Sequence, residues 1–383
     1  MAEIWTNLLD SALTAKSATA RTILLIGGSA EIQRSFITQL VTSTDGNLYS
    51  VKGSHTTMQN EFAIGYLYLD IYDREQEDLI LRLNVYTMPK VFASYAKLLV
   101  DILRKDNTTF ENLFVIFLCD WVEPRRWIRD LAQSIIFLRD SVFSELDQDT
   151  YSAGLQRCSE RYKKLTRVSF AESFQLPNNG IEVEMPLGKG EFDAPLGVDF
   201  MVAMMNSERI DILERQFGRK DDEFDFIQQF LRTILLKHGA SLIYLSSDSK
   251  TLFSFVFYLL SPSIESEHSK DFVAEAAQQI KPNVIQRDSL LIPSGWDSWS
   301  KILVIKEDFD VEGVSGSWQH DVLGSGDDME AVIEVYEDVV YAFGGAGQVK
   351  EYNANALEVE GVSAQVFLRE RSAELNSIET KTG

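Results

Sequence analysis

The sequence predicts an α/β fold: a mostly parallel sheet of about six strands with helices on both faces. Three observations predict it. Apolar runs of strand length recur at residues 23–26, 113–119 and 198–205, as parallel strands buried on both faces require. Segments with helical spacing of apolar residues follow the strands, so the two patterns alternate as far as residue 260. One pair departs from this order. Residues 62–72 and 79–86 each alternate apolar and polar side chains and flank the polar stretch 73–78, which reads as a hairpin.

Residues 1–20 hold an amphipathic segment with Ile4, Trp5, Leu8, Leu9 and Leu13 on one helical face, suited to packing back on the domain or, alternatively, to docking onto a partner. The strand at 23–26 ends at Gly27 and Gly28, and a helix follows with Ile32, Phe36, Ile37 and Leu40 on one side. Residues 42–60 are polar and read as a loop. After the hairpin come a helix over 91–103 and the strand 113–119. Asp120 to Trp127 then form a proline turn that enters a long helix running towards Phe143. Residues 170–197, rich in Pro, Gly and Asn, read as an insertion loop. Beyond it lie the strand 198–205, helices over 207–216 and 223–237, a strand over 241–245 and a helix over 251–260. The helix 223–237 carries a Phe226, Phe230, Ile234 stripe and ends at Gly239 as C-cap.

The regular domain therefore spans 21–260. Residues 261–309 are a C-terminal extension packing on the domain, with a helix at 271–279 and a Trp-containing run, IPSGWDSW, at 292–299. Residues 310–383 read as an acidic, partly disordered tail, in which 331–343 has the spacing to order and 362–375 to end the chain as a helix.

The 383 residues are 45% hydrophobic and carry a net charge of −22, with a pI of about 4.6. Such a surface repels nucleic acid and anionic membranes. Between Glu307 and Glu360 there are 14 acidic residues against the single Lys350, a solvated face or, alternatively, a docking tail for a basic protein. Cys119 and Cys158 are the only cysteines, too few for a disulfide framework and compatible with a reducing compartment. The N-terminus lacks the pattern of a signal peptide. The longest apolar run, LFSFVFYLL before Pro262, is too short to span a membrane. These features read as a cytosolic chain.

The glycine turn at Gly27 and Gly28 sits where a phosphate-binding loop would. That loop, G-x-x-x-x-G-K-S/T, needs a second glycine for backbone approach, a lysine for the phosphates and a hydroxyl for magnesium. Counted from Gly28 the three positions are Gln33, Arg34 and Ser35; counted from Gly27 they are Ile32, Gln33 and Arg34. Neither register satisfies the motif, and a side chain at residue 33 or 32 stands where the backbone must meet the ligand. In a P-loop GTPase the strand at 79–86 would run into D-x-x-G, whereas Thr87, Met88, Pro89 and Lys90 stand there. The strand 198–205 would lead into N-K-x-D, but Met205, Asn206 and Glu208 occupy the Asn, Lys and Asp positions. The alternative is a divergent GTP- or GDP-binding protein using Gly27, Gly28, Arg34 and Ser35, because arginine pairs with phosphate.

No other chemistry emerges. His55, His238, His268 and His320 have no metal-ligand spacing, no G-x-S-x-G occurs, and neither cysteine has an evident base partner. The expectation is no enzyme, no cofactor and no metal. Two tryptophan pairs remain as candidate partner-binding residues. Trp121 and Trp127 bracket the proline turn, an arrangement that more often forms a packed corner than a binding site. Trp296 and Trp299 are either an exposed anchor or part of a strap held on the core.

Several segments together resemble one family. They are GYLYLDIYDREQEDLILRLNVY, LCDWVEPRRWI, MPLG preceding LGVDFMVAM, EFDFIQQFLRTILLKHGASLIYLS and LLIPSGWDSWSKI. Their order and spacing resemble the light intermediate chain of cytoplasmic dynein from Thr22 to Asp308, with a weaker echo at 366–370. The resemblance implies a Ras-like, P-loop GTPase-like domain of fungal type, since animal members keep G-x-x-x-x-G-K-S/T and T-K-x-D and this chain departs at both. It further implies a non-catalytic, microtubule-associated motor subunit in the cytoplasm. In that family the domain docks on the heavy-chain tail, and a C-terminal amphipathic helix binds coiled-coil cargo adaptors.

Overall fold

A computed structural model describes residues 19–44, 49–53, 64–73, 79–105, 108–173, 186–260, 280–324 and 331–340. The segments expected at 1–18, 271–279 and 362–375, and residues 174–185 of the insertion, lie outside that set. The strands are β1 (Thr19–Gly27), β2 (Tyr49–Gly53), β3 (Gly65–Asp73), β4 (Leu79–Met88), β5 (Leu113–Asp120), β6 (Asp199–Met205), β7 (Ser241–Leu245) and β8 (Leu291–Ile292). They form one sheet in the order β2-β3-β4-β1-β5-β6-β7-β8. The pairs β4-β1, β1-β5, β5-β6 and β6-β7 are parallel, whereas β2-β3, β3-β4 and β7-β8 are antiparallel.

The helices are α1 (Ala30–Thr42), α2 (Ala93–Lys105), α3 (Trp127–Ile136), α4 (Gln148–Ser173), α5 (Arg209–Phe217), α6 (Asp221–His238), α7 (Leu252–Leu260), α8 (Trp299–Leu303), α9 (Val311–Leu323) and α10 (Ala331–Val340). Strand periodicity divides the core in two. From β1, Ile23 and Leu25 face a cluster completed by α1 and α7. Leu24 and Ile26 face the opposite cluster, completed by α2, α3, α5, α6, α9 and α10.

Eight strands replace the expected six or so. The added strands are the edges. β2 lies in the stretch read as a loop, and its five residues bury only Tyr49 fully; β8 has two residues. Neither is long enough to display a period. The helix entered at Trp127 becomes a π-helical turn over Phe137–Val142 and a 3-10 turn over Phe143–Glu145, with Phe137, Leu138, Val142 and Phe143 buried. The helix α4 gave no apolar stripe, because Cys158 and Tyr162 are the large side chains that it buries among the described residues.

The expected acidic tail from 310 also needs correction. α9 and α10 are ordered helices, and Trp318 and Tyr336 are fully buried. In α9 the acidic average concealed apolar positions Val311, Trp318 and Val322 at helical spacing, while α10 lies in the stretch 331–343 expected to order and buries Val332, Ile333, Tyr336 and Val340. The buried Asp321 carboxylate accepts from Val332 N at 2.7 Å and so caps α10. Arg129 pairs with Glu337 through two bonds of 2.7 and 3.0 Å, and the Tyr336 hydroxyl donates to the Pro124 carbonyl at 2.9 Å.

A buried polar edge of α6 holds the C-terminal part of this structure. Gln229 donates to the carbonyls of Ile302 and Lys306, both at 3.0 Å. Arg232 makes two 2.7 Å bonds to Asp297, both side chains nearly inaccessible. Lys237 reaches Asp193 and Ser315 at 3.1 Å. His238 Nδ1 donates to the Ala194 carbonyl at 2.7 Å, while its Nε2 accepts from Trp318 Nε1 at 3.0 Å. These bonds fix one neutral tautomer.

Burial holds the His238 pKa down at about 4, below the usual 6.5. Above pH 6.5 both native and unfolded chains keep the ring neutral. Between pH 6.5 and 4 the unfolded chain takes up a proton that the native ring refuses, so stability falls as pH falls, by about 3 kcal/mol over the window. Urea unfolding of the wild type and His238→Gln across pH 4–7 should give a shallower pH slope for the variant, by up to one proton.

Candidate functional site

In open α/β sheets ligands bind beyond the carboxyl ends of the strands, where the strand order reverses. That point is β1: β2, β3 and β4 lie on one side of it, and the chain then crosses to β5 on the other. The turn there is Gly27, Gly28 and Ser29, with φ of 82° and 65° at the glycines. A Cβ on Gly27 would lie 2.8 Å from both the Leu118 carbonyl oxygen and the Phe117 ring. Packing against β5 therefore demands glycine at this position without any ligand.

The turn is closed on itself. α1 starts at Ala30, so residues that would wrap a phosphate are already helical. Ser29 caps the helix, accepting from Ile32 N at 3.3 Å, and its carbonyl takes Gln33 N at 3.0 Å. The Gln33 side chain is buried and donates through Nε2 to the Gly27 carbonyl at 2.9 Å. Arg34 and Ser35 lie on the exposed side of α1.

The base-reading corner is likewise engaged. Asn206 has a left-handed backbone, φ 60°, and its Nδ2 donates to Asp120 Oδ1 at 2.8 Å. The Glu208 carboxylate accepts from Ser247 N at 3.3 Å and from Ser247 Oγ at 2.6 Å. Both oxygens thus go to the loop after β7.

A cavity of about 540 Å³ remains beside the turn, between the ends of β1, β4, β5 and α3. Its walls carry Lys90 and Arg126 against Asp120, Glu123 and Asp130. Three carboxylates against two cations do not make an anion cradle. Burial raises the Asp130 pKa above the usual carboxylate value. Burial also raises both thiols, Cys158 to about 12 and Cys119 well above its ordinary value, which leaves them inert at neutral pH. Among the described residues no group of three or more His, Cys, Asp or Glu side chains could hold a metal ion, and no helix is long and apolar enough to cross a membrane.

The tryptophans need one correction. Trp121 and Trp127 are buried, 1% and 4% exposed, and meet edge to face at 4.7 Å; Trp127 Nε1 donates to the Asp120 carbonyl at 3.0 Å. They are a packed corner and present no surface to a partner. Trp296 and Trp299 are half-buried. Asp297 between them is locked to Arg232, and Lys301 Nζ sits 4.1 Å above the Trp296 ring. This is a strap held on the core. Sequence reasoning missed what holds it, the polar row Gln229, Arg232, Lys237 and His238 on a helix read only for its apolar stripe. Gln229 and Arg232, three apart, and Lys237 and His238, adjacent at the helix end, share no single helical period, so the row gave no periodic signal.

Fold and loops together define a Ras-like α/β domain whose phosphate and base positions are engaged by its own side chains. Residues 2–323 match the family model described as Dynein light intermediate chain. The chain belongs to the dynein light intermediate chain family. The mouse cytoplasmic dynein 1 light intermediate chain 1 is 24% identical over 334 residues, covering 82% of this chain and 58% of the relative. The Dictyostelium discoideum protein of the same name is 25% identical over 299 residues, 66% of this chain and 56% of the relative. The chain thus spans little more than half the length of these curated relatives. The crystal structure of the dynein light intermediate chain's conserved domain superposes with a TM-score of 0.64 at 32% identity, over 84% of this chain and 98% of that one.

Gln33→Ala should lower stability by about 1–2 kcal/mol in chemical denaturation, because the Gly27 carbonyl loses its buried donor. The same variant should gain no magnesium-dependent GTP binding by calorimetry.

Proposed function

We propose that this chain is a nucleotide-free scaffold subunit of the cytoplasmic dynein motor, a pseudo-GTPase that docks on the heavy-chain tail and links it to coiled-coil cargo adaptors. Its place is then the cytoplasm, on microtubules, and its role is non-catalytic. The observation that carries the reading is the closed turn at Gln33 in a chain of this family: the loop that would grip phosphate is replaced by a helix start and a side-chain bond. Family membership supports the motor context, and the inert thiols are consistent with a role other than covalent catalysis.

Heat extraction of the purified chain followed by nucleotide chromatography tests the nucleotide half; the expected yield is far below stoichiometric, and stoichiometric GDP or GTP would overturn it. Co-purification with a recombinant heavy-chain tail fragment tests the scaffold half. The exposed parts of Trp296 and Trp299 are the proposed anchors. Trp296→Ala and Trp299→Ala should each weaken tail binding by about tenfold or more, as hot-spot truncations do. Unchanged binding by variants that melt like the wild type would remove both residues from the interface.

A further inference from the structure

We propose that the groove bounded by α6, the turn at 304–310, α9 and α10 is a docking site for a basic amphipathic helix of a partner protein. The groove is a concavity of about 430 Å³. Phe226, Phe309 and Val314 pack against the core yet stay half-buried, their outer surfaces lining the groove. Phe226 and Phe309 meet edge to face with centroids 5.9 Å apart. On the outer wall α10 presents Val335 and Val339, one turn apart, 54% and 44% exposed. Buried on its inner side and apolar on part of its outer side, α10 has more apolar surface than the described residues cover.

The rim decides what fits. Asp222, Asp308 and Asp310 line it against one cation, Lys306, which lies 3.4 Å from Asp222. The outward side of α10 adds exposed Glu334 and Asp338. An apolar floor inside an acidic rim selects an occupant with large apolar side chains on one face and Lys or Arg beside them. A helix offers that pattern at i, i+3 and i+4. A second copy of this chain would bring the same acidic rim against itself about a twofold axis, with like charges opposed. Phosphate-bearing ligands face the same repulsion. The outer wall, α10, begins at Ala331, beyond the residues matched by the family model. The inference therefore stands apart from the scaffold reading and can fail without it.

The test uses the whole chain at about 150 mM salt, where exposed charge pairs are screened beyond about 8 Å. The probe is a fluorescein-labelled Leu/Lys peptide of about four helical turns with all leucines on one face. Its controls are a scramble of the same composition and a Leu/Glu peptide with the same apolar face. Fluorescence anisotropy should show saturable binding of the Leu/Lys helix, about tenfold or more tighter than either control. Val335→Asp and Asp308→Lys, both at exposed positions with no part in the core, should each weaken it about tenfold, a difference of about 1.4 kcal/mol, with unchanged melting. Equal binding of the scramble or of the Leu/Glu helix, no saturable binding, or affinity unchanged in both variants would overturn the proposal. A wild-type dimer that Val335→Asp dissociates would overturn it in favour of a second copy.

Discussion

The polar edge of α6 ties together parts of the chain that are far apart in sequence. Through Gln229, Arg232, Lys237 and His238 it reaches the strap, residues 193–194 of the insertion, and α9. Each of these side chains is buried. A buried polar group without its partner costs about 1–3 kcal/mol, and one half of a buried ion pair about 3–5 kcal/mol. Release of any one segment therefore strands a donor or a charge on a helix that also supplies Phe224, Ile227, Phe230 and Ile234 to the main core. The strap and α9 act as parts of the domain, with local opening penalised in the same way as core unfolding.

The sequence made the alternating framework legible because its central strands are buried on both faces and its helices carry one apolar stripe each. The residues 23–26, 113–119 and 198–205 became β1, β5 and β6 within a few positions, and Gly239 caps α6 with φ 64° as expected. What stayed illegible depends on tertiary partners. β2 and β8 exist because β3 and β7 offer ladders to short segments with little propensity of their own. α9 was hidden by composition, since an acidic surface and an apolar interior coexist in the same residues, whereas α10 falls in the stretch 331–343 whose spacing already pointed to order. The candidate site was half legible. The missing glycine and lysine could be read, but the bond from Gln33 to the Gly27 carbonyl and the tie between Glu208 and Ser247 could not, because each needs a loop conformation that no local pattern encodes.

At the nucleotide position of this fold, packing within the chain accounts for the turn by itself. Gly27 is required by the closeness of Leu118, so a glycine there is no sign of phosphate. Asn206 keeps a left-handed backbone and spends its amide on Asp120, joining the ends of β5 and β6. Gln33 likewise bonds to the Gly27 carbonyl, and Glu208 to Ser247. Half-buried aromatic and aliphatic side chains meet solvent instead at the strap and at the helical groove.

The sheet itself bears on how any neighbour can attach. One margin is a five-residue strand that includes Lys52 and Gly53, and the other is a two-residue strand. Margins so short expose few free amides and carbonyls, which is one way proteins discourage strand addition and runaway stacking. Among the described residues, lengthening of the ladder by a neighbour is thereby disfavoured at β2 and β8. Edges of this kind leave stray extended segments little to pair with.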